Sequence, residues 1–154
     1  MSDIEQRLAE LGITLPHAHP AAGNYANAVR SGNLLFLSGK APSGENGVLP
    51  KGRFGAEYDV EDGYRFARSA ALQLLGVLQA ELGSLARVAR FVEIQGFLNT
   101  TADFEDHAKV LDGASDLLSQ VFGERGVHAR SVVGAHSLRG GVPLTVRGVV
   151  EVID

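Results

Sequence analysis

The residues with the clearest potential for chemistry lie near the end of the chain, in the stretch GVHARSVVGAHSL at 126–138. Its alternating pattern predicts a β-strand. The period of two places five residues on one face of that strand: His128, Arg130, Val132, Gly134 and His136. Because arginine keeps its charge in proteins, a guanidinium in so apolar a strand needs an anion or a set of carbonyl groups.

The fork of the Arg130 guanidinium matches a carboxylate through two parallel hydrogen bonds. From the residues alone, two interpretations stay open: an ion pair between strands or subunits, and a bound acidic ligand. The neighbours of Arg130 in the sequence are small. The spacing alone favours the ion pair, and the anion could also come from outside the chain.

Composition excludes several other kinds of function. The chain has 154 residues, no cysteine and a net charge of −4, so thiolate nucleophiles and disulfides are ruled out and a dedicated nucleic-acid binder is disfavoured. No apolar run approaches the roughly 20 residues that span a bilayer, and the N-terminus lacks a signal-peptide pattern. We expect a cytoplasmic protein with no membrane or nucleic-acid partner and no cofactor. The histidines of HAH at 17–19 have no further ligand nearby, so no metal site is expected.

The periodicity predicts one domain over 1–154, with a helical extension and linker at 1–19. The predicted elements in chain order are a capped helix at 2–11, two strands joined by a turn at 30–33, a loop at 41–57, a helix from Asp59 to about Leu82 that ends at Gly83, a strand at 87–99, a helical region from Asp103 to Phe122 interrupted near Gly113, and strands at 129–136 and 144–152. This order indicates the α/β class, of the α+β type, in which two helices pack on one face of a mixed sheet.

Two helices leave the other sheet face without a cover. The strand segments LLFL, SVVGA and VRGVV are apolar at consecutive positions, as in strands that are buried on both sides. A large bare apolar face is unfavourable in a soluble monomer, so we expect further copies of the chain to bury it in a closed ring. The alternative is that the loop at 41–57 folds over this face.

Three stretches resemble the RidA/YjgF family of reactive-intermediate (imine and enamine) deaminases. GNYANAV at 23–29 is similar to the family's G-P-Y-S-Q-A-V, and LFLSGKAP at 35–42 to its strand ending in S-G-Q-I-P. HARSVVGAHSL at 128–138 is similar to the signature P-A-R-S-x-V-x-V-x-x-L. The resemblance covers roughly residues 20–152. The helical prefix and the long helix after Asp59 indicate a divergent branch.

The resemblance implies a chorismate-mutase-like fold, a homotrimer with a central barrel, and a ligand cleft at each subunit interface. Family members hydrolyse small 2-imino acids to 2-oxo acids and ammonia without a cofactor. Arg130 matches the arginine that clamps the substrate carboxylate, so the resemblance implies a guanidinium that lacks an internal counter-ion and lies in a subunit crevice open to a small acid. Four further positions match substrate-binding positions: Tyr25 lining the cleft, Gly39 and Val132 offering backbone groups, and Asp112 where relatives often carry asparagine.

The last strand departs from the family pattern. Deaminases resemble V-E-I-E-A-I-A there, and the first glutamate helps to activate water, whereas this chain has Thr145 and Arg147 at the two acidic positions. A threonine hydroxyl can orient water but is a poor base, and the loss of a general base costs about 10²–10⁴-fold. His128 and Glu124 could substitute, although the sequence places neither beside the cleft. Two hypotheses follow: a deaminase that uses Arg130 and Thr145, or a non-catalytic binder of a small carboxylate.

Overall fold

The computed structural model describes residues 2–44 and 46–154. Its elements in chain order are α1 (Asp3–Glu10), β1 (Ala28–Ser31), β2 (Leu34–Lys40), α2 (Val60–Leu82), β3 (Val88–Asn99), α3 (His107–Phe122), β4 (Ala129–Ala135) and β5 (Leu144–Val152). All five strands lie within a few residues of the predicted positions. Among the described residues of the loop at 41–57, pairing is limited to isolated bridges such as that of Phe54 with Tyr58.

The strands form one mixed sheet in the order β1-β2-β5-β3-β4. β3 and β4 pair in parallel, and every other neighbouring pair is antiparallel. A parallel pair needs a crossover connection, and α3 provides it. β4 therefore lies at one edge of the sheet, with its outer side unpaired within the described chain.

Helices α2 and α3 cover one face of the sheet and bury the core between helix and strand side chains. The core includes Leu74, Leu78, Ile94, Leu118 and Val146, each at most 1% exposed. Ile4 and Leu8 of α1 join the same cluster. The predicted class, two helices on one face of a mixed α+β sheet, is confirmed.

Local signals set the ends of the first two helices, as the sequence indicated. Ser2 caps α1 in a reciprocal capping box with Glu5. Asp59 does the same for α2 with Asp62, and these hydrogen bonds hold the pKa of Asp59 below its ordinary value. Gly83 ends α2 with φ of +79°, a left-handed conformation that glycine adopts without strain.

The predicted boundaries of α3 were wrong in two respects. The helix begins at His107 rather than Asp103, and it runs through Gly113 without interruption. At Gly113 the helices α2 and α3 approach closely, since a Cβ there would lie 2.0 Å from the backbone oxygen of Tyr64. The glycine is present for helix packing, not as a helix breaker.

The second face of the sheet carries exposed apolar side chains, and we call it the open face. Val29, Phe36 and Val133 are exposed by 58%, 40% and 52%. The alternative cover, the loop at 41–57, packs on the helical side in its described part: the Ser43 amide donates to Ser69 Oγ of α2 at 2.9 Å. Among the described residues, no helix is both long and apolar enough to cross a membrane.

Tyr64 of α2 donates a hydrogen bond to Asp116 Oδ2 of α3 at 2.5 Å, and this bond raises the pKa of the tyrosine above its ordinary 10.0. A raised folded-state pKa means that the bond stabilises the fold below pH 10 and that this contribution disappears as the pH rises through the folded value. We expect Tyr64→Phe to lower the free energy of unfolding by about 1 kcal/mol at pH 7. Urea titrations from pH 7 to pH 11 should show this difference shrinking above pH 10.

Tyr58→Phe is the matched control, because the described residues offer no hydrogen-bond partner to the Tyr58 hydroxyl while its ring packs on Phe66. A difference between Tyr64→Phe and wild type that stays constant up to pH 11 would contradict the assignment.

Candidate active site at the edge of the sheet

Arg130 lies in the middle of the edge strand β4, on the face that α3 covers. Its register partner in β3 is the buried Ile94, so the two share the helical side of the sheet. Val132 packs partly against the core, and a Cβ on Gly134 would lie 2.9 Å from His107 Nε2 in the first turn of α3. The predicted common face is confirmed for these residues. His136 lies past the end of β4 and is exposed.

The guanidinium of Arg130 reaches across to α3 and binds three groups there. Nη1 lies 2.9 Å from Asp112 Oδ1 and donates to Ser115 Oγ at 3.0 Å, while Nη2 donates to the Ala108 carbonyl at 3.3 Å. The expectation that Arg130 has no internal counter-ion was therefore wrong. Asp112 lies 18 positions earlier in the sequence, and the crossover through α3 brings it to the edge strand.

This binding leaves part of the Arg130 guanidinium free. Of its five N–H groups, one on Nη1 and one on Nη2 donate to Ser115 and Ala108, and Nη1 also lies against the Asp112 carboxylate. The Nε–H and one Nη2–H have no partner among the described residues. The side chain is 27% exposed and that of Asp112 is 48% exposed. An ion pair so open to water is weak, and solvent or a ligand can reach it.

His128 continues the same set of contacts toward the end of α3. Its Nε2 lies 2.9 Å from Ser115 Oγ, and its Nδ1 lies 2.6 Å from the Gly126 carbonyl oxygen. Ser115 thus contacts both His128 and Arg130. We call this set the edge cluster: Asp112, Ser115, His128 and Arg130.

The other predicted site residues lie elsewhere on the protomer. Tyr25 is exposed and precedes β1, at the opposite edge of the sheet. Gly39 of β2 faces Thr145 of β5: a Cβ built on the glycine would lie 3.8 Å from the Cβ of Thr145. Thr145 pairs with Phe97 on the open face, whereas Arg130 faces the helices, so the same copy of Thr145 cannot meet a small substrate held by Arg130.

A cavity of about 360 Å³ marks the open-face half of the predicted site. It is lined by Val29, Phe36, Leu37, Ser38, Gly39 and Arg147. Arg147, at the second acidic position of the family pattern, thus gives this cavity a positive charge. Apart from Tyr25, the predicted residues lie at two places in one protomer, which we call the two half-sites: the edge cluster with Val132, and this cavity with Thr145 beside Gly39.

Sequence reasoning missed Ser115 and the Ala108 carbonyl. The spacing of Ala108, Asp112 and Ser115 along α3, at i, i+4 and i+7, puts them on one helix face and was the available signal. Of the two substitute bases that we named, His128 lies in the cluster. Glu124 is exposed in a turn after α3 and lines a different cavity with Ala89 and Val127. Within the described ranges, no group of three or more His, Asp or Glu side chains could hold a metal ion.

Comparison with known proteins places the chain in a family. A family model described as "YjgF/chorismate mutase-like, putative endoribonuclease" matches residues 5–144. Protein TCP17 of Trypanosoma cruzi is 41% identical over 149 residues, which cover 96% of this chain and 93% of that protein. This chain belongs to the RidA/YjgF family.

Two solved structures share the fold closely. The protein Atu1372 from Agrobacterium tumefaciens has a TM-score of 0.88 and 37% identity, with 98% of this chain and 94% of that chain covered. A protein from Shewanella oneidensis has a TM-score of 0.91 and 35% identity, with 97% and 99% covered.

The contacts of His128 predict its neutral tautomer. A carbonyl oxygen only accepts hydrogen bonds, so the proton of the neutral ring belongs on Nδ1, which faces the Gly126 carbonyl, and Nε2 accepts from Ser115. We expect the long-range ¹H–¹⁵N spectrum of His128 to show the Nδ1–H form at high pH. Solvent-exposed His136 is the internal control, because free imidazole in water favours the Nε2–H form. An Nε2–H form of His128 would contradict the assigned contacts.

Proposed function

We propose that this chain is a RidA-like deaminase that hydrolyses small 2-imino or enamino acids to 2-oxo acids and ammonia. The observation that carries the proposal is the state of Arg130. Its guanidinium is fixed on α3 by Asp112, Ser115 and the Ala108 carbonyl, and it keeps two N–H groups on adjacent nitrogens free at an exposed sheet edge. Two such donors are what a carboxylate needs for bidentate binding.

The counter-ion at Asp112 changes how we expect this carboxylate site to work. Asp112 stands where relatives often carry a neutral asparagine, so here the guanidinium is partly neutralised before a ligand arrives. Its fixed orientation reduces the side-chain entropy that binding costs. We therefore expect weaker affinity for carboxylates than a free arginine would give, with retained selectivity for a group that accepts two parallel hydrogen bonds.

We further propose that the complete site forms between two copies in a homotrimer. One copy supplies Arg130 and Val132, and the next supplies Gly39, Thr145 and the cleft-lining Tyr25. Two observations support the proposal. The open face carries exposed apolar side chains that a second copy could bury. The two half-sites lie on different parts of one protomer, so only different copies could bring them together.

The assembly can be tested through the apolar open face. Light scattering of the wild type should give three times the chain mass of 16.3 kDa. Phe36→Glu places a charge on the open face and should dissociate the trimer, since an unpaired charge is costly in a buried interface. Val48→Glu, at an exposed loop position, is the control and should leave the mass unchanged. A monomeric wild type, or a Phe36→Glu variant that stays trimeric, would contradict this arrangement.

The second candidate is a non-catalytic binder of a small carboxylate. It is favoured by Thr145, which replaces the glutamate that activates water in deaminases, and by Arg147, which adds a cation to the cavity beside Gly39. RNA cleavage, which the family description includes, receives less support here because the chain has a net charge of −4 and no basic run that would follow a phosphate backbone.

The decisive assay generates 2-iminopropanoate in situ and follows its decay. We expect wild-type protein to accelerate the decay and Arg130→Ala to raise KM by about 10- to 100-fold, because a charge-assisted hydrogen bond contributes about 1.5–3 kcal/mol. Asp112→Asn should shift KM in the opposite direction, since it removes the negative charge beside the incoming carboxylate. Glu105→Gln removes the same charge at an exposed position shortly before α3 and should leave KM nearly unchanged.

Three results separate the two candidates. The binder is favoured if 2-iminopropanoate decays at the uncatalysed rate while calorimetry shows that the wild type binds pyruvate and Arg130→Ala does not. Decay and binding that are both indifferent to Arg130→Ala overturn both candidates. Acceleration that depends on Arg130 supports the deaminase.

A further inference from the structure

Ser115 and His128 form a hydrogen-bonded pair beside the proposed carboxylate site. Ser115 Oγ lies 2.9 Å from His128 Nε2 and 3.0 Å from Arg130 Nη1, and His128 Nδ1 lies 2.6 Å from the Gly126 carbonyl. His128 stands where the family signature has proline, so the pair does not follow from the family pattern.

The donors and acceptors fix the direction of each bond in this chain. Arginine has no acceptor, so Arg130 donates to Ser115 Oγ. The Gly126 carbonyl accepts from Nδ1–H, which leaves Nε2 as the acceptor of the neutral imidazole. The hydroxyl proton of Ser115 therefore points to Nε2. A hydroxyl that donates to an imidazole, itself oriented by a third group, is the arrangement in which a base activates an oxygen.

The charged groups near the pair come from two elements, β4 and α3. A proton on His128 would create a second cation close to the guanidinium of Arg130, which is unfavourable by itself. Asp112, at 2.9 Å from Arg130, offsets that repulsion. The charged groups that the contacts place at the cluster are thus Arg130 from β4 and Asp112 from α3, with the uncharged Ser115 between them and the histidine.

We propose that Ser115 and His128 supply the base that the chain lacks at position 145, an inference that rests on the proposed deaminase function. Water that contacts Ser115 Oγ attacks the iminium carbon of a substrate held by Arg130. As the new C–O bond forms, the C=N π electrons move to nitrogen, the water gives a proton to Ser115 Oγ, and the Ser115 proton passes to His128 Nε2.

The second half of the reaction returns that proton. His128 Nε2–H gives it back to Ser115 as the Ser115 proton moves to the amino nitrogen of the tetrahedral intermediate. The C–N bond then breaks, the hydroxyl of the intermediate becomes the carbonyl of the 2-oxo acid, and ammonia leaves carrying the excess proton. Ser115 touches the reacting water, whereas His128 acts through Ser115.

The test uses the full chain and the same in situ 2-iminopropanoate assay. We expect His128→Gln and Ser115→Ala each to lower kcat by about 10²–10⁴-fold, the range of general-base catalysis, with KM within a few-fold of wild type. Ser115→Thr, which keeps the hydroxyl, should restore most of kcat. The matched controls are Ser119→Ala on an exposed turn of α3 and His136→Gln at an exposed position, and both should behave as wild type.

A pH profile separates a proton-transfer role from a structural one. We expect wild-type kcat/KM to fall toward acid pH along a limb that His128→Gln lacks, whereas a variant that merely loosens the site would keep the limb and lower the melting temperature. Wild type without activity overturns the proposed function and this inference together. Active wild type with an equally active His128→Gln variant overturns the inference alone. If His128→Gln does not fold, Ser115→Ala against Ser115→Thr decides.

Discussion

The candidate site depends on one constraint: Arg130 keeps its positive charge at a partly exposed edge of the sheet. The protein meets that constraint with α3, which presents a carboxylate, a hydroxyl and a carbonyl oxygen to the guanidinium. Helix α3 is also the crossover that connects the parallel strands β3 and β4. The same helix therefore completes the fold and orients the cation. A shift of α3 along the sheet would disturb both.

The close packing of α2 against α3 holds this arrangement in place. Gly113 lies next to Asp112 in the sequence, and its missing side chain lets the backbone of Tyr64 approach the helix. The Tyr64–Asp116 hydrogen bond ties the exposed sides of the same two helices together, one turn beyond Asp112. The residue that neutralises Arg130 therefore lies directly before two contacts that fix the position of α3, so helix packing sets the geometry of the ion pair more than its own weak energy does.

The sequence predicted the elements that local signals control and failed where tertiary contacts decide. The capping residues Ser2 and Asp59 and the stop at Gly83 act within a few residues of chain, so their effects are readable from sequence. Gly113 resembled a helix breaker because glycine has low helix propensity, and the approach of Tyr64, which explains it, comes from another helix. In the site, period-two alternation identified the face of Arg130. We missed the counter-ion because Asp112 and Arg130 are 18 residues apart in the sequence and come into contact only through the crossover that α3 makes.

Dividing a site between two half-sites has a chemical consequence. The edge cluster holds a fixed cation and a hydroxyl hydrogen-bonded to an imidazole, while the backbone groups and the Thr145 hydroxyl lie on the other half-site of each copy. A single copy of the chain could then bind a carboxylate weakly but could not enclose it or exclude water around the reacting carbon. If the acid at position 145 was lost while a histidine arrived beside Ser115, proton transfer would have moved from one half-site to the other. Under the proposed function the ligand would still occupy the same crevice, because its carboxylate would bind Arg130 in either case.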